Sequence, residues 1–188
     1  MLASELRVRG LDVVTTMEPG GTPLGRRLRE AFLETEENVS PLAELLLFAA
    51  DRAQHINLLI KPYLEQGRIV ISDRYADATF AYQGAGRGFA EEKVNQVIQI
   101  ATDGLKPDLT LFFDISVDKA ISRTNSRSDS ETVKNRMDAE TVEFYERVRS
   151  AYLKIAETEN ERFRVIDANG SIGEIKTKVL EIVTDFLK

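Results

Sequence analysis

The sequence predicts an α/β fold, a parallel sheet held between two layers of helices. Three observations carry this expectation. Short apolar, β-branched runs alternate with helix-period segments along the chain, the pattern of repeated strand–helix crossovers. The run at 68–72, RIVIS, reads as a buried strand that opens directly after the helix-ending Gly67. Chemistry-bearing residues follow its carboxyl end: Asp73, Arg74 and Tyr75, then a polar and aromatic run into Gly84-Ala85-Gly86-Arg87. Open α/β sheets bind ligands in that place, and an acid beside a guanidinium suits a metal or water together with a phosphate. On the residues alone, a solvated Asp-Arg pair capping a strand remains the alternative.

Residues 1–9 read as an amphipathic helix with Leu2, Leu6 and Val8 on one side and Gly10 as its stop. It carries no N-cap, so the chain reads as starting within a helix. Residues 11–16 form a strand, followed by the turn-forming loop Glu18-Pro19-Gly20-Gly21-Thr22-Pro23 and a helix over 24–33. Ser40 as N-cap and Pro41 as first helical residue open a long helix towards Gln66. Its Leu45, Phe48, Ala49, Arg52 and Ile56 fall on one stripe. Beyond the strand at 68–72, a helix spans 91–102 and a third strand 109–113 ends in Asp114. A helix over 117–127 runs into the charged, serine-rich segment 128–134, and a long helix covers 138–157. The last strand is 164–167, Asn169-Gly170-Ser171 makes a turn, and a helix over 172–187 closes the chain.

The totals exclude several classes of function. At 188 residues the chain is one domain, or one domain with a small mobile insert, and 43% apolar with 30% charged is ordinary for a globular protein. A net charge of −6 argues against a general nucleic-acid or membrane-surface binder. No cysteine is present, which removes disulfides, thiol catalysis and cysteine-ligated metals, and the single His55 removes a multi-histidine metal site. With no run of 18 apolar residues and no signal-peptide pattern, the expectation is a cytoplasmic protein.

Six collinear segments then point one way. EPGGT at 18–22, FAADRAQH at 48–55, DRY at 73–75, AYQG at 81–84, KPDLT at 106–110 and VIDA at 165–168 resemble, in order and spacing, the bacterial thymidylate kinases. That family belongs to the P-loop nucleoside monophosphate kinases, and the resemblance covers essentially the whole chain. It implies a three-layer α/β/α fold of the P-loop NTPase type. It also implies a strand and a G-x-x-x-x-G-K-S/T loop ahead of the segment that opens this chain, and no Gly-Lys pair occurs in these 188 residues. Gly20-Gly21-Thr22-Pro23-Leu24-Gly25-Arg26-Arg27 imitates such a loop, but Arg27 offers no hydroxyl for Mg²⁺. The expectation is therefore a truncated form whose first, central strand is absent. The strands at 68–72 and 109–113 would then either pair directly or flank an open slot.

The resemblance also assigns roles. Arg74 would grip the phosphate of thymidine monophosphate (dTMP), Phe48 would stack on thymine, and Arg52 would reach its exocyclic oxygen. Spacing places residues 48 and 52 on one helix face, although a core Phe48 and a surface Arg52 remain the plainer alternative. Thr79, Tyr82 and Gln83 resemble the residues around base and deoxyribose, with Gln83 reading the pyrimidine edge and Tyr82 crowding a 2′-hydroxyl. Glu18 and Pro19 resemble the loop lining the monophosphate, with Met17 where the family usually has Arg. Arg123, Arg127, Lys134 and Arg136 resemble the lid (about 123–137), where arginines close over ATP. Arg127 is the first choice for the catalytic arginine, and Arg136 follows Asn135 where the family has an acid. Asp73 would lie near Mg²⁺, acting through water, and Asp167 and Asn169 by the adenine. His55 reads as a helix residue satisfied by packing or a hydrogen bond.

The implied activity is ATP- and Mg²⁺-dependent phosphorylation of dTMP in a homodimer, with the 41–64 helix as a plausible interface. The alternatives are a non-catalytic, kinase-derived nucleotide-binding protein, or a kinase for another nucleoside monophosphate.

Overall fold

The computed structural model describes the backbone of residues 1–127 and 136–188 and the side chains of 1–123 and 136–188. Helix α1 (Leu2–Val8) leads into strand β1 (Val13–Met17), which pairs in parallel with β2 (Ile69–Asp73), Val13 opposite Ile69 and Met17 opposite Asp73. Likewise β3 (Thr110–Asp114) pairs in parallel with β4 (Phe163–Asp167), Thr110 opposite Phe163 and Asp114 opposite Asp167. No ladder joins the two pairs, so of the two arrangements expected for 68–72 and 109–113, direct pairing does not occur. Each pair therefore keeps backbone edges with no strand partner among the described residues.

One apolar core packs α1, the inward faces of the strands and the closing helix α9 (Ile172–Phe186) around Leu6, Val13, Ile166, Val179 and Val183. A second joins α2 (Pro23–Leu33), α3 (Pro41–His55) and α8 (Val142–Thr158) through Phe32, Phe48, Ala81, Phe144 and Val148. This second core carries the helix face on which the candidate site is built.

Three local departures from expectation have physical causes. The helix expected over 41–66 is interrupted by a π-helical turn at Ile56–Ile60 before α4 (Lys61–Glu65). Pro62 lacks an N–H and its ring crowds the carbonyl four residues earlier, and a wider turn absorbs both defects. The run after Tyr75, read as a loop, is helical: α5 (Ala76–Thr79) passes into a π-helical segment, Phe80–Gly86. Gly86 allows close packing there, since a Cβ on it would lie 2.6 Å from the Phe144 ring. Between α6 (Glu91–Thr102) and β3 lies a turn through Asp103, and α7 (Val117–Arg127) follows β3. Finally, the helix expected from residue 138 begins at Val142, where Thr141 accepts from the Phe144 amide as N-cap; Arg136–Ala139 is a short 3₁₀ turn.

Candidate functional site: a buried ion-pair network beside Arg74

The site is organised by α3. Helical spacing brings Glu44, Phe48, Asp51, Arg52 and His55 to its buried side. Four of these five are ionisable, which is unusual for a buried stripe and requires partners. The loop after β1 and the helical segment after β2 supply them.

Arg52 donates from Nε to Glu18 Oε2 at 2.8 Å and from Nη1 to Thr79 Oγ1 at 2.9 Å, and its guanidinium lies over the Tyr75 ring. His55 takes the other oxygen of Glu18, Nδ1 to Oε1 at 2.9 Å, while its Nε2 meets Thr16 Oγ1 at 2.6 Å. Glu18 is itself held by its amide, which donates to the Asp73 carbonyl at 2.9 Å. Both carboxylate oxygens of Glu18 are thus engaged by protein, and it supports Arg52 from behind. Pro19, next in the chain, is fully buried, and its carbonyl accepts from Arg29.

Asp51 accepts from the Gly20 amide at 3.1 Å, and its second oxygen is buried with no hydrogen-bond partner. Burial pushes this carboxyl above its usual range, partly offset by the Gly20 bond. The glycines of the loop are required by this crowding: a Cβ on Gly21 would lie 2.5 Å from His55 Nε2, and one on Gly25 2.2 Å from Asp51 Oδ1. The same contacts dispose of the imitation phosphate loop. The Gly20 amide is occupied by a carboxylate and the Gly25 amide by the capping Thr22 hydroxyl, so these anion-binding donors are taken.

Arg74 sits where the chain leaves β2. Its φ of 69° is the left-handed region that non-glycine residues seldom occupy, and such backbone outliers concentrate at functional positions. Its guanidinium lies over the Tyr82 ring, 4.2 Å from the centroid, and Tyr82 packs against the cluster that contains Phe48. Arg74 is thus linked through Tyr82 to the cluster of which Phe48 is a member. Phe48 is only 5% exposed and meets Phe32 edge-on at 4.9 Å, so it is chiefly a core residue here.

Two predicted residues lie apart from this group. Gln83 is buried and donates from Nε2 to Glu44 Oε1 at 2.8 Å. Arg136 forms an ion pair with the same Glu44 and donates to the Phe32 carbonyl at 3.3 Å. Arg87 completes the arrangement with bonds of 3.1 and 3.0 Å to Glu44. The partner that Arg136 lacks in Asn135 is thus an acid on α3, 92 residues earlier in the chain. Burial alone would raise the Glu44 carboxyl, but the bonds from Arg87, Gln83 and Arg136 hold it below the usual range.

At the carboxyl end of β4, Arg123 donates to the Ala168 carbonyl at 3.3 Å, and Asp167 accepts from the Asn169 amide at 2.8 Å. Lys119 donates to Asn169 Oδ1, so the candidates for the adenine end are neighbours. Arg127 closes α7, and its side chain, like Lys134 and Asn135, lies outside the described residues.

No cluster of three or more carboxylate or imidazole groups able to hold a metal occurs among the described residues. Asp73 is a single exposed carboxylate at the end of β2. One carboxylate, with phosphates and water as the other ligands, is a common way to hold Mg²⁺, so the residue fits that ion.

Sequence reasoning missed Glu44, Asp51 and Arg87 and gave His55 no part in the site. Glu44 and Asp51 are acids, which ordinarily face solvent, yet each falls on the same helical stripe as Arg52. That placement was the available signal.

Comparison with known proteins settles the family. The family model for thymidylate kinase matches residues 1–179. The chain belongs to the thymidylate kinase family. Relatives named thymidylate kinase include one from Nitrosomonas europaea, 45% identical over 181 residues, covering 96% of this chain and 82% of the relative. Another, from Pelobacter propionicus, is 41% identical over 183 residues, covering 96% and 84%. Among solved structures, a thymidylate kinase from Ehrlichia chaffeensis superposes with a TM-score of 0.77 at 33% identity, covering 97% of this chain and 88% of that one. The family accounts for the parallel strands and for the crowding of polar residues beyond β1 and β2, and the P-loop NTPase fold expected from the sequence is the fold found.

Proposed function

We propose that the chain acts in ATP-dependent phosphorylation of dTMP to the diphosphate, and that the group built on Glu18, Arg52, Thr79 and Arg74 is its acceptor site. The observation that carries this is the fixed guanidinium of Arg52. Held by Glu18 and Thr79, it lies beside the loop that displays Arg74. Arg74 takes the phosphate of dTMP and Arg52 the exocyclic oxygen of the base. Tyr82 and Phe48 form the apolar wall, and Tyr82 crowds the 2′ position of the sugar. Glu18, Pro19 and Gln83 act from behind this wall, and Arg136 ties the chain to Glu44.

ATP is the co-substrate, with Arg123, Asp167 and Asn169 at its adenine end and Arg127 as the arginine that neutralises charge on the transferred phosphoryl group. Asp73 would hold Mg²⁺ through water, and the ion would supply charge neutralisation for the phosphates. We place the protein in the cytoplasm; no helix among the described residues is long and apolar enough to cross a membrane. A homodimer through the α3 side fits the exposed Leu42, Leu46 and Leu58.

Because the 188 residues contain no Gly-Lys pair, we propose that by themselves they bind dTMP without appreciable turnover. Calorimetric titration with dTMP, dCMP and GMP, beside a coupled kinase assay, tests both statements. Preferential dTMP binding without turnover is expected. Equal binding of all three would overturn the substrate, and near-normal turnover would overturn the second statement.

A further inference from the structure

We propose that His55 is a positioning residue for the acceptor site, one that keeps a nitrogen of Arg52 free for the nucleotide. This rests on the reading of Arg52 given above. A carboxylate facing a guanidinium in a site of low dielectric tends to form a two-bond fork, which for a side-on approach uses Nε and Nη2. Glu18 and Arg52 are both 2% exposed at the side chain, so the pair sits where a fork would be little screened. Yet only one bond joins them, from Nε to Oε2. The other oxygen is claimed by His55 Nδ1 at 2.9 Å, and the ring is locked from its far side by Thr16 Oγ1 at 2.6 Å. Nη1 goes to Thr79. Nη2 is then the nitrogen of Arg52 with no hydrogen-bond partner among the described residues.

The geometry is that of Nδ1 of His55 donating to a carboxylate oxygen of Glu18, with Nε2 facing the Thr16 hydroxyl. Asp51, Glu18 and Arg52 are the charged groups around the ring, and Thr16 and the Gly21 backbone close its far side. With the imidazole removed, Oε1 becomes a buried acceptor without a donor, and Arg52 Nη2 is the nearest remedy. The fork would then form and consume the nitrogen offered to the base.

His55 is the single histidine of the chain, so its ring signals in nitrogen-15 NMR are unambiguous. A low-field Nδ1–H resonance is expected in the parent and is expected to move upfield in Glu18→Gln, where a neutral amide oxygen replaces the carboxylate; its absence from the parent overturns the inference whatever the nucleotide does. The second arm uses His55→Phe, which keeps the shape but not the donor, and His55→Asn, whose amide can reach Glu18. Each is titrated with dTMP and with the analogue lacking the oxygen at position 4 of the base. His55→Phe is expected to weaken dTMP about tenfold, roughly one charge-assisted bond, while leaving the 4-deoxy analogue unchanged, and His55→Asn is expected to recover most of that loss. Equal loss for both ligands, or no loss for either, overturns the inference. A parent that gives the Nδ1–H signal but binds no dTMP overturns the acceptor-site reading, and the proposed part of Arg52 goes with it.

Discussion

The carboxylate of Glu18 and the guanidinium of Arg52 stand 2.8 Å apart, each side chain 2% exposed. They come from the loop after β1 and from the last turn of α3, so the pair locks the loop to the helix. Breaking a buried pair leaves one charge without compensation, which typically costs about 3–5 kcal/mol. Glu18→Ala is therefore expected to lower unfolding stability by about that amount, read as a shift of the urea midpoint at unchanged slope. A loss below about 1 kcal/mol would mean that the pair is solvated in solution, as surface pairs are.

Glu44 gathers Gln83, Arg87 and Arg136, and its carboxyl is held below the usual range. A carboxyl depressed on folding contributes stability that is present above its unfolded value and lost as pH falls through the folded one. The parent is thus expected to lose stability steeply below about pH 4. Glu44→Gln is expected to be less stable near neutral pH and to lose part of that acid dependence. Parallel stability curves for the two proteins from neutral to acid pH would contradict this.

Gly86 touches α8 at a distance that excludes a side chain: a Cβ there would lie 2.6 Å from Phe144 Cε2 and 3.1 Å from Val148 Cγ2. Overpacking of this kind costs about 1–3 kcal/mol. Gly86→Ala is expected to lower the melting temperature, whereas Gly88, with nothing within 4 Å, stands as the neighbouring contrast on steric grounds. Its φ of +78° still disfavours a Cβ, so the comparison separates crowding from backbone strain.

Much of the fold was legible because strands and helices leave periodic traces. RIVIS at 68–72 and the Ser40-Pro41 helix start both correspond to elements found within a residue or so. The helical path of 76–86 was not legible, because Gly84 and Gly86 signal turns locally and the small size of Gly86 is explained only by a helix 58 or more residues away. In the site, Arg52 and Arg74 could be picked out by motif and position. The second row behind them could not. Glu44 and Asp51 are acids, a type that ordinarily faces solvent, and their burial is decided by arginines and amides that the sequence places far from them.

The most direct measurement is dTMP titration of the parent chain beside Arg74→Ala and Arg52→Ala, each checked for folding by circular dichroism. Saturable one-to-one binding by the parent, weakened at least about tenfold in each variant, is the expected result. Binding that both variants retain, or a folded parent that gives no heat with dTMP, would contradict the placement of the acceptor site beside β1 and β2.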